Sequence, residues 1–258
     1  MERLIFDCHA HYYDEAFNAN REELLELLPS EGVYKIINSG SDILTSKECI
    51  DISKKYSYCL ATIGIHPENA DNFNYDFIGE LENLLINNKV VGIGEIGLDY
   101  YYSSSNSNLQ KDVFIKQIKL SKKYNLPIVV HDRQAHSDTL EIIKKYRPKG
   151  LIHCFSGNLE MAKELIGLGM FIGVGGIITF KNAGELINVV KNIPLESILL
   201  ETDAPYLSPV PYRGKRCKSS YIKYVADKIA DIKNISAKEV LNITRKNSLK
   251  LFNLEDNL

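Results

Sequence analysis

The chain has 258 residues, 45% of them hydrophobic and 25% charged, with a formal net charge of −2. That much apolar material supports a large core. Dispersed charges of both signs exclude a chain-wide field that would hold the protein on nucleic acid or on a membrane, while leaving a local phosphate site open. The five cysteines are odd in number and show no CxxC spacing, which argues against a disulfide framework. Cys8 and Cys154 fall in predicted strands and read as buried, reduced thiols. No apolar run reaches 18 residues and His9 already looks functional, so neither a membrane span nor a leader is expected and the expected location is cytoplasmic.

In chain order, Leu4 to Cys8 reads as a strand running into His9 and His11; simple alternation places Asp7, His9 and His11 on one face, with Cys8 and Ala10 on the other. Asn20 to Leu28 reads as a helix with Asn20 as its cap and Glu22 and Glu23 in the first turn. A strand over Tyr34 to Asn38, a helix over Ile43 to Tyr56, and a strand over Cys59 to Ile65 ending at His66-Pro67 follow. Phe77 to Asn87 reads as a helix and Val90 to Glu95 as a fourth strand. Tyr100 to Asn108 is a polar, aromatic loop with a serine-rich centre, of the kind that often lines a site.

The second half repeats this rhythm. The pattern predicts helix over Leu109 to Tyr124, strand over Pro127 to Val130, helix over Thr139 to Tyr146, strand over Gly150 to Cys154 and helix over Asn158 to Leu168. Strand over Phe171 to Val174, helix over Ala183 to Lys191 and strand over Ser197 to Glu201 come next; helices near Tyr221 to Asp231 and Ser236 to Phe252 close the chain. Strands that are apolar on both faces, each followed by a helix, indicate a parallel sheet covered by helices. Eight such units at this length, with no linker or composition shift, predict one α/β domain over residues 1–258. Its expected form is a (β/α)8 TIM barrel with an extra C-terminal helix.

Polar residues at the C-terminal ends of barrel strands converge on one mouth. Here these are His9, His11, Glu95, His131, His153 and Asp203. A lone buried carboxylate such as Glu95 needs a cation, and no Lys or Arg lies within five residues of it. Six ligands of mixed nitrogen and oxygen type exceed the four of a tetrahedral zinc and suit two divalent ions bridged by Glu95. Such donors accept Mg, Mn or Zn alike.

Other residues are expected at the rim. His66, preceding Pro67, should reach the mouth as a substrate contact. Arg133, two residues beyond His131, could hold a phosphate in a bidentate contact or join a rim ion pair. Glu201 is either a second carboxylate of the site or a barrel-layer residue, and Arg213 lies in the positive patch Arg213-Gly214-Lys215-Arg216. Each residue alone has a plain structural reading; their joint placement at strand ends is what points to metal chemistry. No GxSxG, P-loop or GxGxxG occurs.

The motifs Asp-Cys-His-Ala-His at 7–11, Gly-Ile-His-Pro at 64–67, Gly-Glu-Ile-Gly-Leu-Asp-Tyr at 94–100, His-Asp-Arg at 131–133, His-Cys-Phe-Ser-Gly at 153–157 and Glu-Thr-Asp-Ala-Pro-Tyr-Leu at 201–207 together resemble the TatD-family metal-dependent hydrolases of the amidohydrolase-type barrel superfamily. The resemblance implies one metal on His9, His11, Glu95 and Asp203 and a second on Glu95, His131 and His153, with DNase activity that includes 3′ to 5′ exonuclease action. Glu68 stands where the family often has His, and Cys217-Lys218-Ser219 replaces its usual Asn-Glu-Pro continuation; both departures fall on the substrate side. The expected enzyme is a divalent-metal-dependent deoxyribonuclease using a metal-activated hydroxide, with Asp203 and Glu95 as catalytic residues, on single-stranded DNA or RNA. Terminal bases would stack on Tyr100, Tyr101 or Tyr206. Metal-dependent ester or amide hydrolysis, such as aminoacyl-tRNA deacylation, is the alternative, followed by a non-catalytic metal-binding scaffold. The protein is expected to be a monomer or weak oligomer without a membrane partner.

Overall fold

The computed structural model describes residues 2–72, 76–86, 90–102 and 105–256. The predicted helix end at Asn87 and the serine-rich loop centre at Ser103 and Ser104 lie outside these residues. Eight parallel strands form one sheet in sequential order: β1 Ile5–Ala10, β2 Val33–Ser39, β3 Cys59–Ile63, β4 Val90–Asp99, β5 Ile128–Arg133, β6 Gly150–Ile152, β7 Met170–Val174 and β8 Ile198–Leu200. The helices between them are α1 Arg21–Leu27, α2 Ile43–Lys55, α3 Phe77–Ile86, α4 Ser107–Lys123, α5 His136–Tyr146, α6 Leu159–Gly167 and α7 Gly184–Asn192; α8 Ile222–Lys233 and α9 Ala237–Leu251 follow the last strand. Just beyond β8 the chain meets β1: Ala10 bridges Ala204, the His11 N–H donates to the Ala204 carbonyl at 2.7 Å, and the Asp203 N–H donates to the His9 carbonyl at 3.0 Å. The eight-stranded barrel is thereby nearly closed, as the strand–helix alternation predicts.

Two apolar layers hold it. The outer one packs Ile36, Ile93, Val130, Ile172 and Ile198 of the strands against the helices. The inner one fills the barrel with Phe6, Cys8, Ile37, Leu60, Val91, Val129, Leu151 and Leu199. Leu249 and Phe252, at the end of α9, join this inner layer, and the Phe252 ring stacks on Phe6 at 6.3 Å between centroids. The extra helix thus closes the end of the barrel opposite the mouth.

Simple alternation fails in β1. Cys8 lies in the inner layer against Ser248 of α9 (3.0 Å), while Asp7 serves the seam: it accepts from the Thr202 N–H (3.0 Å), the Thr202 hydroxyl (2.6 Å) and the Ser219 hydroxyl (2.6 Å). The β1–β2 pairing shifts register between Asp7 and Ala10, and this extra residue turns His9 toward the mouth. Cys154 lies beyond β6, half-buried at φ 45°, not within a strand. The predicted cap on α1 is also different, because the Asn20 side-chain Oδ1 accepts from Arg216 (2.8 Å) and makes no capping bond to the helix. On α2, by contrast, Asp42 forms a reciprocal capping box with Thr45.

Candidate metal centre

Glu95 lies at the middle of the mouth, 4% exposed. A register shift between Ile93 and Ile96 in the β4–β5 ladder accompanies its turn away from the helix-facing side occupied by Ile93. Gly97 makes the next step possible: it has φ 146°, and a Cβ there would fall 2.0 Å from the His131 carbonyl oxygen. That close approach pairs Gly97 with His131 and brings β5 alongside Glu95.

One donor set gathers on the β1 side. His9 Nε2 and His11 Nε2 face each other at 3.0 Å. Asp203 Oδ1 lies 3.5 Å from the first and 3.2 Å from the second, and Glu95 Oε2 lies 3.3 and 3.5 Å away. The outer nitrogens are held from behind. His11 Nδ1 is 3.0 Å from the Ser39 carbonyl, which can only accept, so the neutral ring carries its proton there and keeps a lone pair on Nε2. The Tyr13 hydroxyl donates to Ser41 and so also accepts from His11 Nδ1. His9 Nδ1 lies 3.1 Å from the Ser39 hydroxyl, which accepts from Thr62.

The second set gathers on Glu95 Oε1, with His131 Nδ1 at 2.9 Å and His153 Nε2 at 3.0 Å. Glu201 lies behind His153, its Oε1 3.7 Å from His153 Nδ1 and accepting from the Cys154 N–H. His66 Nε2 also approaches Glu95 Oε1, at 3.5 Å. Its other nitrogen accepts from the Glu68 N–H at 3.2 Å, so in the neutral ring the proton resides on Nε2. His66 is therefore built to donate a hydrogen bond into the mouth rather than to ligate.

Three overlapping groups, namely His9–Glu95–His153, His9–His11–Asp203 and His66–Glu95–His131, each bring their donor atoms within 4.8 Å of one another. Burial pushes the Glu95 carboxyl up, but the charges of His153, His9 and His66 and the His131 hydrogen bond hold it well below its ordinary value. Burial likewise raises Asp203, and the His11 hydrogen bond with the neighbouring imidazoles brings it below the usual range. Two anionic carboxylates amid imidazoles whose outer nitrogens, all but His153 Nδ1, are already hydrogen-bonded form a donor set that fits divalent cations. Cys154 does not belong to it. Burial, reinforced by Glu201, Asp203 and Glu95, pushes its thiol well above the ordinary value, so it stays neutral.

Residues 6–253 match the family model described as TatD related DNase. The chain belongs to this family. It is 39% identical over 254 residues to an uncharacterized metal-dependent hydrolase, YabD, of Bacillus subtilis, covering 97% of this chain and all of the relative. A second relative, YcfH of Escherichia coli, also described as an uncharacterized metal-dependent hydrolase, is 38% identical over 74% of this chain and 73% of its own length. Among solved structures, the TatD homolog YJJV of Escherichia coli superposes with a TM-score of 0.93 at 29% identity, over 99% of this chain and 100% of its own. A TatD family hydrolase of Entamoeba histolytica gives 0.87 at 28%, over 97% and 98%.

Around the centre, the rim residues take separate places. The Arg133 guanidinium lies 3.9 Å from the Tyr101 ring centre and 4.8 Å from that of Tyr102, two exposed rings that meet edge to face. Tyr206 is 52% exposed, 6.4 Å from the His11 ring, and donates its hydroxyl to Asp14 at 2.6 Å. Arg213 is exposed and stacks on Phe180 at 4.0 Å, while Arg216 donates to the Ala16 carbonyl and to Asn20. Glu201 is not at the rim and contacts no substrate from there; it takes the barrel-layer place, behind His153. It is fully buried, and Gly173 leaves room for it because a Cβ there would fall 2.6 Å from its Oε2. Tyr100 donates to Asp138 instead of offering its hydroxyl to the mouth. Sequence reasoning missed Asp99, whose Oδ2 lies 2.9 Å from His131 Nε2. The predicted strand stops at Glu95, whereas β4 runs on to Asp99; continuing the alternation through Ile96-Gly97-Leu98 is the signal that would have found it.

Proposed function

We propose that the chain is a divalent-metal-dependent hydrolase acting on phosphodiesters, specifically a deoxyribonuclease that removes nucleotides from the 3′ ends of single-stranded DNA. The observation that carries this reading is the convergence of His9, His11, His131, His153 and Asp203 on the two oxygens of Glu95 and on one another. The family description and the relatives' description as metal-dependent hydrolases support it.

His9, His11, Asp203 and Glu95 would hold one divalent ion and Glu95, His131 and His153 a second, and ions held there would supply Lewis acidity toward a water and toward a phosphoryl oxygen. Glu95 bridges the two donor sets through its separate oxygens. Asp203, with 17% of its side chain exposed toward the mouth, orients the attacking water and accepts its proton. His66 donates from Nε2 to a non-bridging oxygen as negative charge builds there. Arg133 contacts a phosphate at the rim, and exposed Tyr206 stacks on a terminal base, a mode that tolerates any base. A small net charge suits an enzyme that grips a strand end rather than one that coats a duplex.

The test is single-turnover digestion of end-labelled single-stranded DNA by metal-stripped protein resupplied with Mg²⁺, Mn²⁺ or Zn²⁺, alongside Asp203→Asn. The expected result is stepwise, metal-dependent loss of 3′ nucleotides that the variant abolishes. Protein that binds metal yet leaves DNA intact, or that releases amino acid from an aminoacyl ester with the nucleic acid whole, overturns the nuclease reading.

A further inference from the structure

Among the histidines of the two donor sets, His131 is held differently. His9, His11 and His153 turn Nε2 toward Glu95 or Asp203, whereas His131 turns Nδ1 toward Glu95 and gives Nε2 to Asp99. Asp99 is 1% exposed and fully committed. Its Oδ1 accepts from the N–H groups of Tyr101 (2.9 Å) and Tyr102 (3.2 Å), which leaves Oδ2 for His131. Its backbone is clamped on both sides by Gln110 of α4, which accepts from the Asp99 N–H at 2.9 Å and donates to its carbonyl at 3.0 Å.

We infer that Asp99 is a positioning residue: it holds the His131 proton on Nε2 and so makes Nδ1 the nitrogen that meets the second metal. A carboxylate only accepts, so it stabilises the ring with hydrogen on Nε2 and a lone pair on Nδ1. An asparagine in its place reverses this. The two backbone donors claim the amide oxygen, the NH₂ group then faces His131 Nε2 as a donor, and the proton moves to Nδ1. In serine proteases the same exchange of carboxylate for amide behind a histidine leaves the geometry intact and installs the wrong tautomer. A purely structural role predicts the opposite, since asparagine keeps the size and the bonds to Tyr101 and Tyr102.

The inference rests on the two-ion reading of the site, and the test separates the two. Zn²⁺ is titrated calorimetrically into metal-stripped wild type, Asp99→Asn and His131→Ala, and ¹⁵N-histidine spectra are recorded on the zinc-loaded proteins. Wild type should take two zinc ions, with one imidazole ligated through Nδ1. Asp99→Asn should weaken one of the two about 10–100-fold, approaching His131→Ala, and place the His131 proton on Nδ1. Two ions bound at wild-type affinity in Asp99→Asn overturn the role of Asp99, as does a wild-type spectrum with His131 protonated on Nδ1. If wild type binds a single ion, the two-ion reading fails by itself, and the His131 tautomer in that same spectrum still decides Asp99. The wild-type spectrum also serves if the variant does not fold.

Discussion

Replacing Glu95 by Gln keeps the side chain's size and removes its charge. Five imidazoles lie within 3.5 Å of its two oxygens: His9 and His11 on Oε2, and His66, His131 and His153 on Oε1. Glutamine leaves one acceptor oxygen and turns an NH₂ group, which cannot ligate, toward the other donor set. Loss of a mere supporting partner behind a metal ligand costs about 10–100-fold in affinity. Glu95 serves both sets, so the product of the two association constants should fall by at least about 10²–10⁴. At about 1.4 kcal/mol per decade this is about 3–6 kcal/mol. Calorimetric titration of Mn²⁺ into metal-stripped wild type and Glu95→Gln measures it directly. Two ions bound by the variant within about threefold of wild-type affinity would falsify the bridging role and, with it, the reading of the mouth as a two-ion centre.

Two further perturbations test the frame around Glu95. Gly97→Ala puts a methyl 2.0 Å from the His131 carbonyl at a φ that L side chains rarely adopt. The strained backbone and the overpacking together should cost about 2–6 kcal/mol, a large share of a typical domain's stability. Urea denaturation reads this, and a loss below about 1 kcal/mol would mean the β4–β5 contact gives way easily. Titration provides the other test. Burial lowers His131, but its bonds to Asp99 and Glu95 outweigh that and raise it from 6.5 to about 9 in the metal-free protein. A folded pKa above the unfolded value gives stability that is present below about 6.5 and lost as pH rises through about 9. Metal uptake near neutral pH must then release this proton, so affinity should climb with pH until about 9. Denaturation of metal-free protein across that window, compared with His131→Asn, checks the sign. An identical pH slope in the two proteins contradicts it.

Strand-end chemistry was legible in the chain because a barrel needs each strand apolar throughout, which makes His131, His153 and Asp203 conspicuous where the runs stop. The eightfold alternation was legible for the same reason, since two buried faces erase polar alternation and helices restore it. Local irregularity was not. The register shifts beside His9 and Glu95 and the positive φ at Asp203 set which way those side chains turn, and they arise from contacts between strands far apart in the chain. Period-two reasoning therefore put Asp7 with the ligands, while in the fold it bonds Thr202 and Ser219 across the barrel seam.

By itself, then, the sequence determined the barrel, the end of it that carries chemistry, and the residue types gathered there, because burial requirements act on every strand and leave their mark in composition. Only the tertiary structure decided which nitrogen of each histidine faces the centre. That choice belongs to Ser39 behind His9 and His11, the Glu68 N–H behind His66 and Asp99 behind His131, while Glu201 stands 3.7 Å behind His153 as a charge without a hydrogen bond to it. An imidazole's two nitrogens are alike in the sequence and become different only when a fixed acceptor or donor reaches one of them.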